Sequence, residues 1–391
     1  MIIELNETRV HIRLWHKDFW LLALSNLLLT LSVYVLIPVL PVWLMETENL
    51  SPQQAGIAMG AFAVGLFLPG AFCSWLVQHY RRNVVCLWAM AAVAACVVVL
   101  WYVDSQRTTF VEWWTVTLLR MAMGAAFGLA QMVLSSTLVI DTCESFQRTS
   151  ANHAVAWFSR FALSLGPLAA LLMIQPLGFG VLMLCAACLA IASLLTLSLV
   201  DFPFRTPEEG VRVVSLDRFF LPRGLVLFVN LLPVSIVAGL LLSLPVGSHF
   251  YALLMGGFLL ALLAQRFVFR ETEPKSEVIS GFLLLLSSLL VLMFRPESPT
   301  ASVLAGLGLG LTGSRFLIFF IKLSRHCQRG TSQSTFFLCW ESGIVLGLAL
   351  GYACFFRQLH SLLLVALTLI AVSLLMYLLF THQWFMHHKN R

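Results

Sequence analysis

The chain has 391 residues, of which 60% are hydrophobic and only 11% charged, with a formal net charge of +6 and a mean hydropathy of +0.91. A soluble domain carries about 25% charged residues, so this composition excludes a water-solvated surface and points to lipid as the surrounding medium. The modest positive balance excludes a nucleic-acid partner, because no basic run is interleaved with aromatics.

In chain order, the first apolar run, 19–44, is too long for the core of a cleavable signal and has no small-residue cleavage site behind it, so it reads as a retained span. A span needs about 20 apolar residues. Further runs of that kind fall at 53–78, 83–103, 111–140, 150–174, 177–200, 223–244, 247–268, 278–294, 299–322, 332–356 and 359–381, twelve in all. The break between the seventh and eighth rests on Pro245 and Gly247 alone. With an even number of spans and the N-terminus inside, 18 of the 24 Lys and Arg residues fall in cytoplasmic segments and three (Arg107, Arg295 and Arg357) outside. That asymmetry places both termini in the cytoplasm, in a plasma (inner) membrane. Arg120, Arg160 and Arg315 are left within the bilayer. The longest polar connection, "DFPFRTPEEGVRVVSLDRFFLP" from Asp201 to Pro222, separates six spans from six. The expected organisation is an all-α membrane protein with an N-terminal six-helix bundle (1–200), a linker (201–222) and a C-terminal six-helix bundle (223–391).

Nine cysteines sit mostly inside apolar runs. The pair Cys185 and Cys188 lies in "VLMLCAACLAIASLL", a helix-packing context rather than a redox or metal site. No metal, cofactor or nucleotide motif is present in the sequence, so none is expected.

Two stretches align without gaps, "QRTSANHAVAWFSRFALSLGP" from Gln147 and "QRGTSQSTFFLCWESGIVLGL" from Gln328. Gln147 matches Gln328, Arg148 matches Arg329 and Gly166 matches Gly347. Repeated halves with a substrate site between them are a transporter architecture. The alignment also sets Arg160 opposite Glu341, each six residues before its matched glycine, so a cation and an anion are expected at one depth in the two halves.

The opening spans, from "LSNLLLTLSVYVLIPVLPVW" onward, resemble the first helices of major facilitator superfamily transporters. Span four carries "RMAMGAAFG", similar to that family's motif of an arginine followed by glycines, here Arg120, Gly124 and Gly128. Span five carries "LGP", a fragment of the antiporter Gly-Pro motif, at Gly166 and Pro167, and Asp141 and Arg148 stand where the family's loop between spans four and five has its acid and arginine. The loop between spans two and three departs from the pattern: Ser74, Gln78 and His79 replace glycine, aspartate and arginine. The resemblance implies alternating access around a cavity lined by spans one, four, seven and ten, with the loop latch weakened or made differently.

Polar side chains in lipid carry the remaining readings. An Arg at the bilayer centre costs about 2.5–3.5 kcal/mol on insertion scales. On span four, Arg120 and Gln131 share a face with Gly124 and Gly128, either as a cavity wall or as a packing face with Arg120 on backbone carbonyls. Asn26 and Tyr34, Asn230 beside Pro233, Thr312 and Arg315 complete the expected substrate cavity. His153 heads the span-five stripe and reads as interfacial. Glu341 is the acid placed well inside a span, about 13 Å along a helix starting at Ser332, balanced by Arg315, Arg120 or Arg160. It is either a proton-coupling group or a structural pair. Arg160, Asp141, Arg148 and Arg329 are the associated gating residues, and Gly124, Gly128, Gly166 and Pro167 the packing ones. The expected function is secondary transport of a small anionic or amphipathic solute, coupled to protons or sodium, by a lipid-embedded monomer of the efflux type. The absence of HExxH, GxSxG or paired intramembrane carboxylates argues against an acyltransferase or protease; a non-transporting sensor or scaffold is the other alternative.

Overall fold

The computed structural model describes residues 14–105, 112–144, 146–202, 210, 212–325 and 328–390. The expected basic residues Arg9, Arg13, Arg107, Arg205 and Arg391, and much of the early linker, lie outside those residues. The described chain is helical, with elements α1 (Lys17–Tyr34), α2 (Leu40–Glu46), α3 (Pro52–Phe67), α4 (Gly70–His79), α5 (Arg82–Ser105), α6 (Trp113–Val133), α7 (Val139–Asp141), α8 (Arg148–Ser198), α9 (Leu225–Leu242), α10 (Ser248–Phe267), α11 (Pro274–Phe294), α12 (Pro299–Leu323), α13 (Arg329–Phe355), α14 (Leu359–Met376) and α15 (His382–His388). Nine helices among the described residues are long and apolar enough to cross a membrane, or ten with a bent pair counted as one.

Every apolar run of the sequence is helical, but several are broken where the residues require it. The first run is interrupted around Pro38, with Pro41 in the first turn of α2. The second bends by 47° between α3 and α4, at Pro69, which also caps α4. The expected fifth and sixth spans follow one another without an intervening loop in α8, 51 residues in all. At 1.5 Å per residue that is about 77 Å, far beyond a hydrocarbon core of about 30 Å. The conflict resolves at Gly178, whose φ of +76° is not helical and which stands two residues after Pro176. Helix α6 passes through a π-helical segment, Leu134–Leu138, into α7.

Close helix approach is set by glycine. A Cβ on Gly124 would overlap the carbonyl of Phe62, and one on Gly239 the carbonyl of Ile344, so α6 lies backbone-to-backbone on α3 and α9 on α13. Without a hydrophobic drive between helices in lipid, such contacts are a main source of association. Gly128 lies against Leu66 in the same α3–α6 seam. Across the expected two bundles, Gly56 of α3 meets Ala349 and Ala353 of α13, and a Cβ there would fall 2.7 Å from the Ala353 nitrogen.

Both described chain ends lie at one end of the bundle. His16 Nε2 is 2.9 Å from the Thr142 carbonyl, and Asn390 Nδ2 donates to the Leu323 carbonyl at 3.0 Å. The same end holds the ion pair of Arg82 with Asp141. The later linker is stitched there too. Ser215 N donates to Ala71 O at 2.9 Å, Arg218 N to Thr331 Oγ1 at 2.9 Å and Leu221 N to Thr335 Oγ1 at 2.8 Å.

The glycine seams yield a stability prediction. Gly239→Ala places a methyl on a backbone carbonyl and should lower stability by about 1–3 kcal/mol or more through overpacking, read as a lower melting temperature in detergent. Gly256→Ala, with nothing within 4 Å of its Cβ, should leave the melting temperature unchanged or raise it slightly through helix propensity.

Candidate functional site

Helices α8 and α13 begin at the aligned residues Arg148 and Arg329. Arg160 and Glu341 therefore each lie 12 residues in, about 18 Å along the helix and close to the middle of a 30 Å core. That is deeper than the 13 Å expected for Glu341, because α13 starts one turn before Ser332.

The two side chains share a cavity of about 30 Å³, lined also by Asn26, Gln131, Ser135, Ser159, Gln333 and the rings of Phe336, Phe337 and Trp340. Such a volume holds about two waters. Arg160 is 2% exposed and Glu341 2%. The Tyr34 hydroxyl donates a bifurcated hydrogen bond to the two Glu341 oxygens, at 2.7 and 2.8 Å. Tyr34 reaches the acid because Gly166 leaves room: a Cβ at 166 would lie 2.8 Å from the Tyr34 Cβ. The motif glycine thus lets α1 sit against α8 and aims a phenol at the acid of the other half. Its counterpart Gly347 lets α9 approach α13 in the same manner, against the Ile236 carbonyl.

Arg160 is held by rings rather than by an acid. Its Cζ lies 5.0 Å from the Trp157 ring, 5.8 Å from Trp340 and 5.9 Å from Phe336. Gly313 of α12 makes the space, since a Cβ there would meet Trp340 at 2.9 Å and Arg160 Nε at 3.3 Å. Both terminal nitrogens, Nη1 and Nη2, are buried without a hydrogen-bond partner. A cation–π contact stabilises the charge, yet leaves those donors free for a planar anion, which a guanidinium grips bidentately. Around them, Gln131 Nε2 donates to Thr30 Oγ1 at 2.9 Å, and Asn26 Nδ2 to Ser159 Oγ at 2.9 Å and Val155 O at 3.2 Å.

The remaining expected residues are placed elsewhere. Arg120 lies on α6 with its Cζ 4.7 Å from the Phe62 ring and Nη1 donating to Met123 Sδ at 3.5 Å; it does not line this cavity. Asn230 bonds the Ser373 carbonyl of α14 at 2.8 Å, tying two helices of the second half. Thr312 is buried against Gly281 of α11. Arg315, expected as a counter-ion for Glu341, instead pairs with Glu277. Glu277, a helix-end residue by sequence, is 0% exposed, in the first turn of α11, where the helix dipole favours an acid and Arg315 compensates it. Sequence reasoning misses this pair because Glu277 reads as an ordinary interfacial carboxylate beside Lys275. Asp141 pairs with Arg82, so the loop between spans two and three still engages the acid of the next loop although Gln78 replaces its own; Gln78 accepts from Ser74 Oγ at 3.3 Å. Arg148 and Arg329 open the two repeat helices, and Gly330, next to Arg329, lies on the Ser136 carbonyl. Pro167 continues α8 after Gly166. Among the described residues no cluster of His, Cys, Asp or Glu fits a metal ion.

The sequence matches the family model of the Major Facilitator Superfamily over residues 22–348. It is 25% identical over 122 residues to the "Proton-coupled antiporter flippase LtaA" of Staphylococcus aureus (strain USA300), a match covering 31% of this chain and 30% of that protein, so less than a third of the relative is spanned. Among solved structures, the human organic anion transporter MFSD10 (TETRAN) superposes with a TM-score of 0.68 at 16% identity, over 92% of this chain and 98% of that one. The peptide-family transporter PepTSo gives a TM-score of 0.68 at 13% identity, over 95% and 99%. A mutant of the nucleoside transporter NupG gives 0.63 at 12% identity, over 93% and 99%.

The Tyr34–Glu341 contact gives a double-mutant prediction. Tyr34→Phe strands a buried carboxylate without its donor and should destabilise by about 1–3 kcal/mol. Tyr34→Phe combined with Glu341→Leu removes both partners and should recover most of that loss, a non-additivity readable as melting temperatures in detergent.

Proposed function

The chain belongs to the major facilitator superfamily, and from that premise we propose that it is a secondary active transporter, carrying a small organic anion or amphipathic solute by alternating access with proton coupling. The family is one of transporters rather than enzymes, and the chain is a multi-pass membrane protein. In this reading residues 1–200 and 223–391 are the two moving bundles, joined by 201–222. The basic end faces the cytoplasm with both termini, the membrane is the plasma membrane, and the working unit is a monomer.

One observation carries the reading: a cation and an anion from the two repeated stretches, Arg160 and Glu341, line the same buried cavity. The free Nη1 and Nη2 of Arg160 suit a carboxylate, sulfonate or phosphate, and Phe336, Phe337 and Trp340 suit a flat apolar body beside it. Glu341, capped by one phenol, can gain a proton in place. A proton on Glu341 and a negative group on Arg160 each alter the charge that the other meets, and this mutual effect is the coupling. A proton suits the site better than sodium, because the Arg160 guanidinium lining the same cavity repels a metal ion. The Staphylococcus relative is named a proton-coupled antiporter and the human structure an organic anion transporter; both are in keeping with this proposal, and exchange is the first arrangement to test.

The test is flux of labelled aromatic and amphipathic organic anions in proteoliposomes, with and without a pH gradient. Arg160→Ala should lower gradient-driven flux by roughly 100-fold, the cost of a lost charge-assisted bidentate contact, and Arg160→Lys should restore part of it. Glu341→Gln should keep solute exchange but remove its response to the pH gradient. If Arg120→Ala abolishes flux while Arg160→Ala leaves it intact, the solute site lies on α6 and this assignment fails.

A further inference from the structure

A second buried polar assembly lies outside the cavity and links the halves at the basic end. His153 Nε2 of α8 is 2.6 Å from Ser314 Oγ of α12. Ser314 Oγ donates to Gln265 Oε1 of α10 at 3.0 Å, and Gln265 Nε2 donates to Glu277 Oε1 of α11 at 2.6 Å. Arg315 Nε donates to Glu277 Oε2 at 2.6 Å.

The ion pair gives this chain a direction. Glu277, held by Arg315, is an acceptor only, so the Gln265 amide must turn its NH₂ toward it. The amide oxygen then faces Ser314, whose single proton is committed to it. Ser314 Oγ can therefore only accept from the ring, and His153 must carry a proton on Nε2. A charge on α11 thus fixes the tautomer of a histidine three groups away and in the other half of the molecule. A neutral ring suffices for that donation. A second proton would put a cation into a buried site beside two others. Arg315 adjoins Ser314, the ring's own partner, and Arg160 stands across the Trp157 ring, whose centroid is 6.4 Å from the His153 ring and 5.0 Å from Arg160 Cζ. Glu277, the acid facing them among the described residues, is engaged by Arg315. Tyr377, which lies near Arg315 and Glu277, holds His382 Nδ1 at 3.1 Å and offers no further anion.

We propose that this chain is a second proton-responsive site: a latch that closes the basic end across the halves while His153 is neutral and releases when His153 takes up a proton. The position fits that role. His153 is five residues into α8 and Gln265 two residues from the end of α10, whereas toward the opposite end Gly56 meets the small apolar Ala349 and Ala353 and Ser164 of α8 donates to the Tyr251 carbonyl of α10, contacts without an ionisable side chain. The proposal rests on the alternating-access reading, and its test reads conformation rather than flux.

Spin labels at Thr149→Cys and Lys322→Cys, in a background without native cysteines and in nanodiscs, report the separation of α8 and α12 at the basic end. The distance distribution should shift to longer values as the pH falls from about 6.5, where a solvated histidine takes up its proton, toward about 4, with the open-to-closed ratio changing at most about tenfold per pH unit for one proton. His153→Gln keeps a neutral N–H donor and should hold the short distance at both pH values. Ser314→Ala should give the long distance at both. Glu341→Gln should still respond to pH, separating this site from the cavity. A His153→Gln protein that opens with pH like the parent, a Ser314→Ala protein that stays closed, or loss of the response in Glu341→Gln would overturn the latch. Absent flux in the parent with an intact distance response would instead overturn the transport reading and leave the latch standing.

Discussion

Two opposite charges at matched positions of a repeat, Arg160 and Glu341, have no solvent to retreat to, and the rest of the molecule is arranged around that constraint. An isolated charge in a lipid-embedded bundle is tolerated only where partners or a wet cavity receive it. The fold supplies different partners to each: a phenol from α1 for the acid, and three aromatic rings for the guanidinium. Neither partner neutralises the charge. Had α12 offered its Arg315 to Glu341, the acid would be locked in a structural ion pair. Because Arg315 is drawn to Glu277 instead, Glu341 is met among the described residues by the Tyr34 hydroxyl, and the cavity keeps two unneutralised charged groups.

Glycine makes that geometry reachable. Gly166 brings α1 close enough to α8 for Tyr34 to cross to Glu341, and Gly313 clears the face of α12 on which Trp340 and the Arg160 side chain rest. These are packing residues in the ordinary sense, since they let backbones touch. They are also what sets the depth and direction of the polar groups. The chain from sequence to function passes through the missing Cβ at least as much as through the charged side chains.

Much of this was legible in the sequence for a physical reason. Lipid demands long apolar runs, so the helical segments announced themselves, although nine or ten of the twelve expected spans stand out as separate spanning helices among the described residues. The aligned stretches set Arg160 and Glu341 at one depth because matched helix starts give matched rises. The family resemblance was equally visible in Arg120, Gly124, Gly128 and the Gly166–Pro167 step. What could not be read was which neighbour each face meets. Asn230 and Asn26 look alike in sequence, yet one ties α9 to α14 through Ser373 and the other lines the cavity. Helical periodicity gives a residue's direction around its own axis and says nothing of the helix standing there. For the same reason Arg120, on a face shared with Gln131, turns to the Phe62 ring, while Gln131, three turns farther along, reaches the cavity. Glu277 escaped notice because its burial arises from α10 and α12, distant in sequence, and not from its own apolar surroundings.

The two closures of the molecule are made of unlike material, and this asymmetry has a mechanical meaning. Between Gly56 and Ala353 the halves meet through small apolar groups, a contact whose strength depends on fit and hardly on pH. At the other end they meet through His153, Ser314, Gln265 and Glu277, a contact whose strength depends on the charge that each group bears. A bundle that rocks between two closures of equal character would respond to protons symmetrically and gain no direction from them. With one seam free of ionisable side chains and one that contains His153 and Glu277, the proposed latch would confine the effect of a proton to a single side.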